Sequence, residues 1–321
     1  MNRQLICVCL VCLCFQLANA QNAIKEIPSD TTYNPSAAWK NLSRNYPEIK
    51  IAEADLSSLK VDRDLVYATL KNTQFGDRDL HLDVIRPLKD GKYPALFMIH
   101  GGGWRSGNKL MEHPMAAYVA AHGYVAIPVE YRLSPEAKYP NAVYDIKAAI
   151  RWIKANAEEF SVDTTRIAIE GNSAGGQLAT LVGMTNRIAQ FEGNEGVLSK
   201  SSSVHAVVDV DGVVDFMAPS SLNLPRYPDW LGGSFTEKPA VWKDASPIFW
   251  VNKESVPIAF IISAQPKYTA GMAEMLDLYD QHGIYWEKHK LPESPHAFWL
   301  FHPWFEPTVK YMVGFLDKVL K

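Results

Sequence analysis

From residue 79 to the C-terminus, short apolar runs alternate with amphipathic stretches, and no other feature of the sequence restricts the fold as strongly. Asp79–Arg86 (DLHLDVIR) alternates apolar and polar residues like a half-exposed strand, and Pro87 ends it. Tyr93–His100 and Tyr124–Glu130 are short apolar runs flanked by Pro and Gly, which predicts buried strands. Asn141–Phe160 carries apolar residues at helical spacing, with Trp152 and Ile153 expected on the buried stripe. Thr165–Glu170 reads as a strand, and a helix is expected after Ser173. Val204–Val210 and Val256–Ile262 read as strands, Ala270–His282 as a helix and Ile284–Leu291 as a strand. Glu306–Leu320 closes the chain as a helix whose Pro307 suits its first turn. Such alternation predicts an α/β protein: a mostly parallel central sheet with helices on both faces. No linker interrupts it, so residues 61–321 are expected to form one domain after a polar lead-in over 21–60. Residues 216–250, rich in Pro and Trp, read as an insertion or lid.

Composition narrows the classes of function. The 321 residues carry a formal charge of −3, which gives no electrostatic case for binding nucleic acid or an anionic membrane. No GxGxxG, GK[ST] or HExxH occurs, so neither a nucleotide cofactor nor a metal is expected. At the N-terminus Arg3 precedes an apolar stretch, Leu5–Leu17, followed by the small-x-small signal Ala18-Asn19-Ala20. The stretch is shorter than the roughly 20 residues of a membrane span, so residues 1–20 are expected to be an export signal. All 4 cysteines lie inside it, and the exported chain would be thiol-free and periplasmic or secreted.

Two glycine motifs carry the chemistry. Gly171-Asn172-Ser173-Ala174-Gly175 lies between an expected strand and helix, the order a nucleophile elbow requires. The glycines let strand and helix approach closely while the serine takes strained backbone angles. His100-Gly101-Gly102-Gly103-Trp104 ends an earlier strand, where N–H groups can turn toward a developing oxyanion. Each such donor stabilises a transition state by roughly 3–4 kcal/mol. Of the 9 histidines, His296 follows the last strand and is the first candidate for the base, with His302 second. His100 is expected to prop the glycine turn.

Together with VEYRLSPE, FSVDTTRIAIEGNSAGG, LGGSFTEKPAVWKDASPI and the His296 loop, these motifs resemble the α/β-hydrolase fold. Within that fold the chain is similar to hormone-sensitive-lipase-like carboxylesterases and to secreted relatives acting on acetylated or feruloylated plant polysaccharides. The resemblance runs from about residue 64 to the C-terminus. It implies Ser173 as nucleophile, His296 as base, and the N–H groups of Gly102, Gly103 and Ala174 as oxyanion hole. It also implies an acid just past Val256–Ile262, in a pattern like His-Gly-x-x-Asp. This chain instead reads Ser263-Ala264-Gln265-Pro266-Lys267, with a base at the acid position. Functional residues gather beyond the carboxyl ends of parallel strands, and the preceding strand ends at Asp211, where related esterases usually carry an aromatic residue. Asp211 is therefore the first candidate; a Ser–His dyad, Asp215 and Glu293 are the alternatives.

The segment after His296 is aromatic (FWLFHPWF), and Trp104, Trp299 and Trp304 are candidate platforms for a sugar or an aryl acyl group. The expected activity is hydrolysis of acyl esters, acetyl first, on plant polysaccharides or oligosaccharides through an acyl-enzyme, with an acylated carbohydrate as the partner. A general carboxylesterase or lipase, a serine peptidase and a catalytically inactive binding protein on the same fold are the competing expectations.

Overall fold

The computed structural model describes residues 26–222 and 225–321; the expected export signal, and every cysteine with it, lies outside them. The first element is a short helix, α1 (Pro35–Leu42), whose start is capped by Asn34 Oδ1 accepting the Ala37 N–H at 2.9 Å. After β1 (Lys50–Ile51) come two long antiparallel strands, β2 (Leu59–Thr73) and β3 (Gly76–Pro87). Then follow β4 (Tyr93–Ile99), α2 (His113–Ala121), β5 (Val125–Val129), α3 (Asn141–Ala155), β6 (Val162–Asn172) and α4 (Ala174–Met184). The second half holds β7 (Ala206–Val210), two short helices, α5 (Arg226–Leu231) and α6 (Pro239–Asp244), and β8 (Ile258–Ile262). It closes with α7 (Met272–His282), β9 (Trp286–Lys290), β10 (Phe301–His302) and α8 (Phe305–Leu320).

Eight strands make one sheet in the order β2-β3-β5-β4-β6-β7-β8-β9, parallel from β5 to β9. Strands β5, β7 and β8 are buried at every residue, which is why β5 and β8 read as unbroken apolar runs and β7 is interrupted only by the buried Asp209. On β4, Ala95, Phe97 and Ile99 face a core shared with Ile146 of α3, Leu178 of α4 and Met275 of α7. Leu96 and Met98 face the opposite core, with Met115 of α2 and Met312 of α8. Helices thus cover both faces, as the alternation requires. The edge strand β9 (WEKHK) carries Lys288 and Lys290, which discourage further strand pairing.

Three expectations need correction. Strand β2 begins inside the presumed polar lead-in and has no clean period of two. Its register shifts at Asp62/Leu65, Val66/Ala68 and Leu70/Thr73 move the side-chain alternation from one face to the other. Helix α3 stops at Ala155 rather than Phe160, because Asn156 Nδ2 donates to the Trp152 carbonyl at 2.8 Å and the chain turns; Trp152 is only half-buried. The lead-in is also more than a tether. Asp30 pairs with Arg105 at 2.8 Å, Ala38 and Ile49 join the core, and β1 pairs with β10. Residues 216–250 hold α5 and α6 and pack Phe216, Tyr227, Trp230 and Trp242 into one aromatic cluster.

Candidate active site

Ser173 sits between β6 and α4 with φ 53° and ψ −115°, a conformation that costs a non-glycine residue of order 1–3 kcal/mol. The strain persists because the turn is clamped. Ser173 N–H donates to the Val210 carbonyl at 2.7 Å, and a Cβ at Gly175 would lie 1.9 Å from the Ile99 carbonyl oxygen. The start of α4 directs its positive end at the serine, favouring negative charge there.

Ser173 Oγ is 2.9 Å from His296 Nε2, and His296 Nδ1 is 2.8 Å from Asp211 Oδ2. The carboxylate fixes the tautomer: Nδ1–H donates to Asp211, which leaves Nε2 free to accept the serine proton. Asp211 is buried, and its other oxygen accepts the Ser263 N–H at 2.8 Å. The strand end that lacks the acid therefore supports the acid supplied by its neighbour. Tyr268 stacks on the His296 ring at 3.4 Å between centroids, and Trp299 meets it edge-on at 5.1 Å.

Of the alternative acids, Asp215 accepts the Met217 N–H at 2.7 Å within its own turn, and Glu293 is an exposed loop residue. His302 pairs with Glu306 at 2.6 Å, away from the serine. His100 props the glycine turn: Nδ1 donates to the Gly101 carbonyl at 2.8 Å, and Tyr131 stacks on the ring at 4.5 Å. Burial lowers its pKa to about 4, so the ring is neutral. Gly102, Gly103 and Ala174 line the same cavity as Ser173, of about 390 Å³. Among the described residues none of their three N–H groups has a protein acceptor.

Beneath the elbow, on the other face, lies a buried acidic group. Asn172 Nδ2 donates to Glu112 Oε2 at 2.9 Å, and both carboxylate oxygens of Glu170 lack a partner among the described residues. Burial pushes Glu112 and Glu170 well above the carboxylate range, and repulsion from Glu112 and Asp209 raises Glu170 further. Among the described residues no cluster of three or more His, Cys, Asp or Glu side chains could hold a metal.

The proposed aromatic platforms separate. Trp104 lines the cavity, stacked on Trp230 at 4.7 Å, with its Nε1–H donating to Gln177 at 3.0 Å. Trp299 does not line it: it is 1% exposed, packed in the core with Phe298 and Phe301 behind the histidine. Trp304 does not line it either, lying edge-on to Tyr46 at 5.3 Å. Large rings at this point of the chain fill the sheet's second face. The cavity walls are instead Tyr33, Tyr227, Tyr268 and Arg226. Tyr268 lies just past the carboxyl end of β8, a place the strand-end rule marks. Tyr33 gives no such signal, because its segment reads only as polar.

A family model described as BD-FAE matches residues 82–267, more than half of the chain. The chain belongs to the BD-FAE family. The matched stretch holds the glycine turn, the elbow and Asp211, and it ends before His296. This BD-FAE chain is 33% identical over 213 residues to the probable carboxylic ester hydrolase LipM of Mycobacterium tuberculosis, covering 63% of this chain and 48% of LipM. It is 33% identical over 176 residues to esterase LipC of the same organism, covering 52% of this chain and 43% of LipC. It thus spans about half the length, or less, of these relatives. Among solved structures, a truncated carbohydrate esterase from gut microbiota superposes with a TM-score of 0.73 at 26% identity, covering 83% of this chain and 98% of that one. Esterase Est2 of Thermogutta terrifontis shares the fold with a TM-score of 0.67 at 23% identity, covering 83% and 94%. The BD-FAE chain thus has the α/β-hydrolase fold that these structures share.

Proposed function

We propose that this protein is an exported serine esterase that removes acyl groups, acetyl first, from plant polysaccharides or their fragments. The observation that carries the esterase reading is the unbroken hydrogen-bonded chain Ser173–His296–Asp211 at 2.9 and 2.8 Å. Ser173 Oγ attacks the ester carbonyl as its proton passes to His296 Nε2. The N–H groups of Gly102, Gly103 and Ala174 hold the oxyanion, and Asp211 stabilises the imidazolium. Collapse breaks the bond to the alcohol oxygen, which takes the proton from Nε2. Water then attacks the acyl-enzyme by the same route, giving the free acid and regenerating the serine.

The carbohydrate half of the reading is supported by the likeness to a gut-microbial carbohydrate esterase and by the aromatic walls of a cavity of about 390 Å³. Export is supported by the sequence of residues 1–20. Fluorophosphonate labelling of Ser173, followed by a panel of acetylated xylan, acetylated pectin, feruloyl esters and aryl esters, tests the proposal. Labelling absent in the wild type defeats the esterase reading. Turnover of aryl or long-chain esters alone leaves a general carboxylesterase or lipase.

A further inference from the structure

The cleft carries a charge that the chain as a whole does not. The sequence is formally −3, yet among the described residues the sole carboxylate lining the Ser173 cavity is Asp211, buried and bonded through both oxygens. Arg226, exposed at the start of α5, reaches into this cavity. A Cβ built on Gly103 would lie 2.7 Å from its Nη1, so the guanidinium rests against the glycine turn. A second groove of about 430 Å³ shares Tyr33, Tyr268 and His296 with the first and runs along α1. Asn41, Asn45, Gln265 and Lys267 line it, with no carboxylate among the described residues. Lys267 Nζ lies 4.9 Å from the centroid of the Tyr268 ring that stacks on His296. Asp30 and Asp229 pair with Arg105, at 2.8 and 3.9 Å, and among the described residues neither Arg226 nor Lys267 has an ion-pair partner.

Unpaired cations beside a low-dielectric cleft focus a positive potential on it, and a guanidinium fork matches a carboxylate better than any neutral group. The two cations occupy two joined cavities, which suits charge repeated along a chain better than one acid group. The groove on the His296 side receives the departing alcohol, since His296 protonates it, and its amides suit sugar hydroxyls. We infer that the ester cleaved here is carried on an acidic glycan, whose uronate carboxylates are held by Arg226 and Lys267. This rests on the esterase reading above.

The test compares kcat/KM of the full chain on O-acetylated oligogalacturonate and on acetylated xylo-oligosaccharide, at low and high salt. p-Nitrophenyl acetate serves as a control for esterase activity, and succinyl and butyryl aryl esters form a second pair. The expected preference for the acidic oligosaccharide is about tenfold at low salt, carried mainly by KM, the scale of one charge-assisted contact. It should fall toward one at high salt, in Arg226→Gln and in Lys267→Gln. It should persist in Lys89→Gln, whose exposed cation lies at the opposite end of the sheet. A ratio near one in the wild type overturns the inference, as does a preference that neither salt nor the two variants reduce. A carboxylate preference confined to the succinyl ester overturns the uronate assignment. Absence of p-nitrophenyl acetate turnover is a different result, because it removes the esterase reading itself.

Discussion

Asp211 takes φ 55° at the end of β7, where a non-glycine residue is uncommon, and its burial between two hydrogen bonds holds it there. Replacing it with Asn keeps the shape but presents an N–H to His296 Nδ1, which forces the wrong tautomer. Asp211→Asn is expected to lower kcat by about 10⁴ with the melting temperature nearly unchanged, measured by ester turnover and thermal unfolding. Ser173→Ala should abolish fluorophosphonate labelling. Ser173 and the two glycine turns were legible because their chemistry is local: a few adjacent residues make the motif. Asp211 was legible by its position at a strand end, against the pull of the usual pattern. Arg226 and Tyr33 were not, because what they do depends on which distant segments lie beside them.

At the scale of elements, the elbow depends on contacts too close for a side chain. Gly175→Ala would place a methyl 1.9 Å from the Ile99 carbonyl oxygen, and β4 and α4 would have to part. A loss of about 3 kcal/mol, read by denaturant titration, and a fall in kcat from the displaced serine are expected together. Trp104 joins the glycine turn to the aromatic cluster through Trp230 and Gln177. Trp104→Ala should cost about 3–5 kcal/mol by the same measurement. The strands β4, β5 and β8 could be read from sequence because burial on both faces makes them nearly continuous apolar runs. Strand β2 could not, since its bulges erase the periodicity on which such reading depends. Trp299 and Trp304 show the opposite error, where aromatic richness signalled packing rather than a site.

At the scale of the whole molecule, the buried carboxyls set a pH dependence. Burial raises Asp209 to about 7 from 3.8, so the native state keeps a proton that the unfolded chain has released. Stability is complete below the unfolded value and falls as pH climbs through that window. Glu112 and Glu170 shift in the same direction. The melting temperature should therefore be lower at about pH 8 than at about pH 5, and Glu170→Gln should narrow the difference. A flat profile in the wild type would contradict the buried acidic group. The small β1–β10 ladder has a different consequence. It joins Ile51 to Phe301, about 250 positions apart, directly behind the loop that carries His296. That closure spans more than three-quarters of the chain, and so long-range a contact is expected to form late, so recovery of turnover should lag recovery of helical signal during refolding. Turnover would then report the last folding step.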